Sequence, residues 1–379
     1  MPSWRGWSIF LAAILLPVSH LYASDAQEPM NLALNEQVFF VKNSYGIFST
    51  SLETTLFKPD GDGPFPVVVI NHGKAAGDPR FQKRARYLVA GRELVRRGYV
   101  VVMPMRGGFS NSTGNYIGSG CNFESNGREQ AEDVRAVLDH VTKLPFVDPQ
   151  RIVVMGQSHG GLTTTAFGIQ PYPGVLGLIN FAGGLRYTSC VGWEANLVRA
   201  FEAYGAKNRY PMLWFYGDND SYFSRPLVDR IYAAYTASGG QAKLVAFGNF
   251  KGDAHALFAD QDGLKIWWPE VRAFLRELNL PTELLPRPSR SDHPEVQRLI
   301  EAERVLDSFA SPSCRSLFAY FIDADSPRAY AISSDGKNCG YARGKDVGDR
   351  ALRFCQKNQV EPCQLYVHEN SVFPLPGHQ

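Results

Sequence analysis

The sequence predicts an α/β protein with a doubly wound, mostly parallel sheet, followed by a small α+β module stapled by disulfides. Over the first 280 residues, short β-branched runs alternate with stretches of helical periodicity. A proline-rich break follows at residues 281–294, and four of the six cysteines lie beyond it. Alternating strands and helices build parallel sheets covered on both faces, and a short module gains stability from disulfides when its core is small.

The predicted sheet begins with two antiparallel strands and continues with six strands buried on both faces, whose β-branched composition is typical of parallel sheets. These strands are Gln37–Lys42, Leu52–Lys58, Phe65–Asn71, Tyr99–Met103, Arg151–Met155, Val175–Phe181, Pro211–Tyr216 and Lys243–Phe247. Helices are predicted between them at Phe81–Arg97, Gly127–Leu144, Leu162–Phe167, Trp193–Tyr204, Ser224–Ser238 and Trp268–Leu278.

The predicted organisation is a signal peptide at 1–26, the sheet domain at 27–280, a linker at 281–294 and the small module at 295–379. In the module, apolar spacing and composition predict helices and short strands. The helices are Glu295–Phe309 and Val347–Cys355, and the strands are Leu317–Ile322, Arg328–Ser333 and Gln364–His368.

The first residues follow the pattern of an export signal. Arg5 precedes the apolar run Ile9–Val18, and small residues at Ser24 and Ala26 suit cleavage after Ala26, with cleavage after Ala23 as the alternative. The run is shorter than the roughly 20 residues that span a bilayer, so we expect an exported protein, periplasmic or secreted, without a membrane span after cleavage. A formal net charge of +2 gives no indication of nucleic-acid binding.

An even number of cysteines in an exported chain favours disulfides. The economical pairing joins Cys121 to Cys190 and leaves two bridges within the module, although free buried thiols are the alternative. The candidates within the module are Cys314, Cys339, Cys355 and Cys363.

The strongest chemical signal is the segment from Gly156 to Gly161, which places Ser158 between glycines directly after a predicted strand and before a predicted helix. This is the G-x-S-x-G nucleophile elbow, whose tight turn needs small neighbours at Gly156 and Gly160. It exposes the serine hydroxyl at a helix N-terminus, where a developing oxyanion is stabilised.

A serine nucleophile needs a base, and in this arrangement the acid and then the histidine follow the serine in the chain. Of the eight histidines, His255 follows the last predicted strand of the sheet domain and is the candidate base. Two carboxylates follow the preceding strand. Asp220, three residues after Gly217, has the usual spacing, and Asp218 is the alternative.

The oxyanion hole is predicted to use the backbone N–H of His159 and the N–H of Lys74 in the loop after Asn71. Tyr222 and Phe223 follow the acid and are candidates either for lining the substrate pocket or for the core. The histidines and cysteines lack the spacing of a metal site, and no phosphate-binding glycine loop is present. No cofactor is therefore predicted.

Together these motifs make residues 36 to 280 resemble the dienelactone-hydrolase-like and prolyl-oligopeptidase-like branch of the α/β-hydrolase superfamily. The motifs are Val69–Gly73, Arg106–Gly114, Val147–Ile152, Gly156–Gly161, Gly217–Asp220 and His255. Dienelactone hydrolases use a cysteine nucleophile where this chain has Ser158, and the branch's peptidases usually carry a large N-terminal propeller. The resemblance therefore implies hydrolysis of small carboxylic esters through an acyl-serine.

Two other functions stay open. One is a small-substrate amidase or peptidase of the same fold, and the other is a non-catalytic binding scaffold, since fold alone does not determine function. The C-terminal module resembles small cysteine-containing modules of exported bacterial proteins, and we expect it to stabilise the protein or to dock an unidentified partner.

Overall fold

The structure, a computed structural model, describes residues 30–45, 48–118, 120–285, 294–324, 327–357 and 361–375. The predicted signal peptide at 1–26 and residues 286–293 of the predicted linker lie outside these ranges. Among the described residues, no helix is long and apolar enough to cross a membrane.

Eight strands form one sheet in the order β1-β2-β4-β3-β5-β6-β7-β8. The β1–β2 and β2–β4 pairs are antiparallel, and every other pair is parallel. The strands are β1 Gln37–Tyr45, β2 Phe48–Phe57, β3 Phe65–Asn71, β4 Val100–Pro104, β5 Val147–Gln157, β6 Val175–Phe181, β7 Met212–Tyr216 and β8 Ala242–Ala246. The predicted doubly wound α/β class is confirmed.

Helices cover both faces of this sheet. They are α1 Leu88–Val95, α2 Phe123–Val141, α3 His159–Phe167, α4 Trp193–Gly205, α5 Arg225–Ala237 and α6 Leu264–Glu277. Alternate residues of a strand point to opposite faces, so β3 sends Val67 and Val69 into one core with α2 to α5, and Val68 and Ile70 into the other with α1 and α6. The carboxyl ends of the parallel strands are thus left free to carry loops.

Helix α1 is shorter than the predicted span Phe81–Arg97. It begins at Leu88, directly after Tyr87, whose φ of 38° lies in the left-handed region and interrupts helical geometry. The preceding residues instead lie in a short 3-10 turn, Pro79–Phe81, and an irregular loop. Hydrophobic spacing alone did not reveal this interruption.

The C-terminal module contains a second, four-stranded sheet in the order β10-β9-β11-β12, with three helices. Its elements are α7 Pro294–Phe309, α8 Pro312–Asp323, β9 Arg328–Ser333, β10 Cys339–Arg343, α9 Val347–Gln356, β11 Cys363–His368 and β12 Ser371–Val372. The α+β class predicted for the module is confirmed.

One predicted strand of the module, Leu317–Ile322, is wrong, because this segment lies inside helix α8. Ser311 caps the helix by accepting a hydrogen bond from the Cys314 N–H at 3.3 Å, and proline occupies the first helical position. Phe318 and Phe321, three residues apart, are fully buried on one helical face. A short apolar run fits a strand and a buried helix equally well, and here the cap at Ser311 favours the helix.

The six cysteines form three disulfides, Cys121–Cys190, Cys314–Cys339 and Cys355–Cys363. The first closes a loop within the sheet domain, and the other two lie within the module. Helix α1 also meets the module, because Arg92 Nη1 donates a hydrogen bond to the Ala319 carbonyl oxygen of α8 at 2.9 Å.

Candidate active site

The turn between β5 and α3 has the geometry of a nucleophile elbow. Ser158 lies between the last residue of β5 and the first of α3, with φ 56° and ψ −123°. Such a conformation is costly for a residue other than glycine and marks functional sites when the surroundings impose it. Side chains at Gly156 and Gly160 would overlap the Gly160 and Asn71 carbonyl oxygens, respectively. This crowding explains why both positions must be glycine.

The loop after β3 lies directly against the serine. A Cβ at Gly73 would stand 3.3 Å from Ser158 Cβ. The Gly73 N–H donates a hydrogen bond to the Tyr87 hydroxyl at 3.2 Å. Among the described residues, the N–H groups of Lys74 and His159 have no acceptor, and these are the two donors predicted for an oxyanion hole.

The histidine and the acid meet across two loops. His255 Nδ1 lies 2.9 Å from Asp220 Oδ2 and 3.1 Å from Oδ1. The Asp220 side chain has no exposed surface, whereas 14 % of the His255 side chain is exposed. Asp220 Oδ1 also accepts hydrogen bonds from the N–H groups of Tyr222 and Phe223, at 2.8 and 3.0 Å. The carboxylate is therefore held in one orientation and keeps the ring in one tautomer.

Asp218, the alternative acid, is directed elsewhere. Its carboxylate lies 3.3 Å from Arg225 Nη1, and 48 % of its side chain is exposed. Among the described residues, Asp218 forms neither a hydrogen bond nor an ion pair with His255. The geometry therefore favours Asp220 over Asp218 as the partner of the histidine.

The histidine loop is fastened to the elbow and to the acid loop. Gln157 Nε2 donates a hydrogen bond to the His255 carbonyl oxygen at 2.8 Å, which ties the histidine loop to the residue before the serine. In the part of the chain that the structure describes, the Ser158 hydroxyl has no hydrogen bond to the His255 ring or to another group. Such catalytic hydrogen bonds are commonly long before substrate binds.

Asp253 is a residue that the sequence interpretation missed. Its carboxylate accepts hydrogen bonds from the His255 N–H at 2.9 Å and from the Ser221 hydroxyl at 2.6 Å, so it links the base and acid loops. Burial raises the pKa of this carboxyl, but the hydrogen bonds from Ser221 and His255 outweigh burial and lower it. Its position two residues before the histidine, at the start of a 3-10 turn, is an N-cap signal that could have identified it.

A buried polar network supports the elbow from below. Arg106 is fully buried and donates from Nη2 to the His72 carbonyl oxygen at 2.7 Å and to His159 Nδ1 at 3.1 Å. The other ring nitrogen of His159 therefore carries the proton and donates to Asn126 Oδ1 at 2.6 Å. Burial, reinforced by the Arg106 charge, lowers the pKa of His159 well below its usual value. This ring is a neutral structural group, and only its backbone N–H faces the chemistry.

The two candidate pocket residues differ in placement. The Tyr222 ring lies 4.4 Å from the His255 ring, between centroids, and the residue is 42 % exposed. Phe223 is 1 % exposed and packs in the core, where a Cβ on Gly184 would meet its ring. Tyr222 therefore borders the site, and Phe223 buttresses it.

Two cavities lie in this region of the structure. One, of about 210 Å³, is lined by Lys74, Tyr116, Leu185, Arg186 and Tyr187 together with two glycines. The other, a groove of about 820 Å³, runs between the sheet domain and the C-terminal module and includes His72, Gln157 and Tyr320 in its lining. Among the described residues, no group of three or more histidine, cysteine or acidic side chains is arranged to hold a metal ion.

Comparisons with known proteins agree with this architecture. The family model described as X-Pro dipeptidyl-peptidase (S15 family) matches residues 48–191, less than half of the chain. No curated protein matches the chain in sequence. Among solved structures, an acylaminoacyl peptidase from Pyrococcus horikoshii is similar, with a TM-score of 0.50 and 18 % identity over 66 % of this chain. This chain covers 43 % of that peptidase.

Two smaller proteins are also similar in structure, each at 16 % identity over 64 % of this chain. They are a putative dienelactone hydrolase from Klebsiella pneumoniae (TM-score 0.45, 99 % of that chain covered) and the esterase Pf2001 from Pyrococcus furiosus (TM-score 0.47, 93 % covered). The sheet order and the strand–serine–helix elbow lead to one conclusion: the chain has the α/β-hydrolase fold, with a serine at the nucleophile position of the elbow.

Proposed function

We propose that this protein is an exported serine hydrolase that cleaves small carboxylic esters through an acyl-Ser158 intermediate. The observation that carries the proposal is the buried Asp220 carboxylate bonded to His255 Nδ1, in a loop that is hydrogen-bonded to the residue before Ser158, which is itself held at positive φ. A histidine oriented in this way presents Nε2 as a base, which a serine hydroxyl requires to become a nucleophile.

The proposed reaction has two balanced halves. His255 Nε2 takes the proton of Ser158 as its oxygen attacks the ester carbonyl carbon, and the N–H groups of His159 and Lys74 stabilise the resulting oxyanion. The tetrahedral intermediate expels the alcohol, which receives the proton from His255. Water then attacks the acyl-serine with the same base and releases the acid. Losing one oxyanion donor typically costs about 3 kcal/mol of transition-state stabilisation.

The first test is labelling of the purified protein with a fluorophosphonate probe, followed by mapping of the modified peptide by mass spectrometry. We expect labelling at Ser158 that is absent in Ser158→Ala and strongly reduced in His255→Ala. Ser224→Ala, at the start of α5, where the serine side chain makes no capping hydrogen bond, is the matched control and should label like the wild type. Absence of labelling in a folded, disulfide-intact sample would exclude an activated serine and favour the scaffold hypothesis.

A peptidase function is the second candidate, and the match to the X-Pro dipeptidyl-peptidase family model favours it. Matched ester and anilide substrates with the same acyl group separate the two. The esterase is supported if the ester is cleaved faster than the anilide by more than the difference in the intrinsic reactivity of the two substrates. Efficient release of aniline from X-Pro anilides supports the peptidase.

Export is part of the proposal. The signal pattern at 1–26 and three disulfides favour an oxidising compartment. N-terminal sequencing of the mature protein tests it, with a new N-terminus at residue 27 or 24 expected. A cytoplasmic, full-length protein would contradict it.

A further inference from the structure

The smaller cavity touches the neighbours of Ser158 on three sides. Lys74 follows Gly73, which lies against the serine side chain. Leu185 follows Gly184, whose N–H donates to the Ser158 carbonyl oxygen at 3.0 Å. On the third side, the Tyr116 ring meets the His159 ring edge to face at 5.8 Å. Residues that line this cavity therefore adjoin residues in contact with the elbow.

The charges that line this cavity are all positive. Among the described residues, neither Lys74 nor Arg186 forms an ion pair. Lys74 Nζ donates only to the carbonyl oxygens of Ala75 and Gly77, at 3.2 and 3.0 Å. Burial lowers the pKa of Lys74, and the exposed carboxylate of Asp78 opposes that effect in part. A partly desolvated ammonium without a carboxylate partner favours an anionic ligand.

The arginine is held in place without being neutralised. Arg186 Nη1 donates to the Ser221 carbonyl oxygen at 3.1 Å, and its guanidinium stands 5.9 Å from the centre of the Trp193 ring. The remaining donors of its guanidinium have no carboxylate partner among the described residues. Tyr116 and Tyr187 add aromatic surface on either side of the cavity.

The larger groove lacks these features. Its Arg84 and Arg86 are paired with Glu36 at 2.7 and 2.5 Å, and its Lys251 is paired with Asp260 at 2.7 Å. Each of these three cations already has a carboxylate partner, which neither Lys74 nor Arg186 has among the described residues, so the small cavity is the stronger candidate for binding an anion.

The disulfide Cys121–Cys190 joins the two walls of the cavity. One wall, which contains Tyr116, precedes Cys121 in the chain, and the wall from Leu185 to Tyr187 precedes Cys190. The covalent link limits how far these two walls can separate and so reduces the cost of ordering the cavity when a compact group binds.

We propose that this cavity binds a negatively charged, compact and preferably aromatic group of the substrate, so that the enzyme selects esters bearing a second, free carboxylate. The expected preference in hydrolysis rests on the proposed esterase function, whereas the expected preference in binding does not depend on it.

The test uses monomethyl terephthalate and its neutral near-isostere, methyl 4-carbamoylbenzoate. Calorimetry with Ser158→Ala, which cannot acylate, measures binding of each ester separately from hydrolysis. We expect the charged ester to bind about fivefold more tightly than the neutral ester, because one partly exposed charge contact contributes about 1 kcal/mol. The preference should fall about fivefold in Ser158→Ala/Arg186→Gln. Arg304→Gln in the same background, an exposed arginine of the C-terminal module, is the control and should keep the preference.

Equal affinity for the two esters, or a preference that survives Arg186→Gln, overturns the proposal whether or not the wild-type protein hydrolyses either ester. Preferential binding of the charged ester without hydrolysis or labelling of Ser158 would instead overturn the proposed function and leave the anion site standing. With hydrolysis present, kcat/KM for the two esters should show the same preference as binding.

Discussion

Replacing Asp220 with asparagine tests the assignment of the acid at the level of single hydrogen bonds. Asp220 Oδ1 accepts two backbone N–H groups, those of Tyr222 and Phe223. In Asp220→Asn, only the amide oxygen can take that position, because an amide nitrogen would face two donors. The amide NH2 then replaces Oδ2, which lies 2.9 Å from His255 Nδ1 in the wild type, and must face that ring nitrogen. As a donor, it turns Nδ1 into the acceptor and moves the ring proton to Nε2, where the base must be unprotonated.

The expected loss follows from this tautomer change. In a serine hydrolase with a matching arrangement, the same substitution lowers kcat on the order of 10⁴-fold, equivalent to about 5 kcal/mol. We expect a loss of that order for a 4-nitrophenyl ester, measured by nitrophenolate release, with an unchanged circular dichroism spectrum.

Asp218→Asn is the matched control, because that carboxylate is half exposed and paired with Arg225. It should keep activity within about twofold, as exposed ion pairs contribute little. An Asp220→Asn variant that retains activity within tenfold of the wild type, or an Asp218→Asn variant that loses it, would refute the reasoning.

Three further predictions concern the supports of the site. Gly73→Ala should lower kcat/KM about tenfold with little change in melting temperature, because its Cβ would stand 3.3 Å from Ser158 Cβ and displace the nucleophile; unchanged kinetics would contradict this contact. Replacing Cys121–Cys190 with serines should lower the free energy of unfolding by about 4 kcal/mol, and replacing Cys355–Cys363 should lower it by less, since the sequence separations are 69 and 8; denaturant titration measures both, and the reverse order would contradict the expectation. Glu36→Gln should destabilise the fold by about 3 kcal/mol, because Arg84 and Arg86 lose the carboxylate that they share. Burial raises the pKa of Glu36 but its arginine partners lower it further, so the wild-type advantage should vanish as the pH falls below the usual carboxyl range, and a pH-independent difference would argue against it.

Local sequence was sufficient for features that depend on neighbouring residues. Five strands of the main sheet, β3, β4, β6, β7 and β8, were predicted to within one residue at each end, because buried parallel strands are short continuous β-branched runs. The predictions for β1, β2 and β5 were too short by three or four residues at one end. The elbow was also readable, since its G-x-S-x-G pattern lies in adjacent residues and the crowding at Gly156 arises within the turn itself. The interrupted helix α1 and helix α8 were misjudged because apolar spacing is ambiguous over short runs.

The buried network beneath the elbow could not be assembled from sequence. Arg106 appeared only as part of a motif, and its contacts with His72 and His159 join residues that are 34 and 53 positions away. Burial is what neutralises those histidines, and burial is a property of the packed molecule.

The sequence by itself determined the class of fold, the nucleophile candidate and the order in which acid and base follow it, because each is written in adjacent residues. The tertiary structure decided which of two aspartates faces His255, how the six cysteines pair, and that Lys74 and Arg186, which are 112 residues apart in the chain, share one cavity. The physical reason is that hydrogen bonds, disulfides and charge contacts between distant residues depend on side-chain directions and loop paths, which only the packed chain sets.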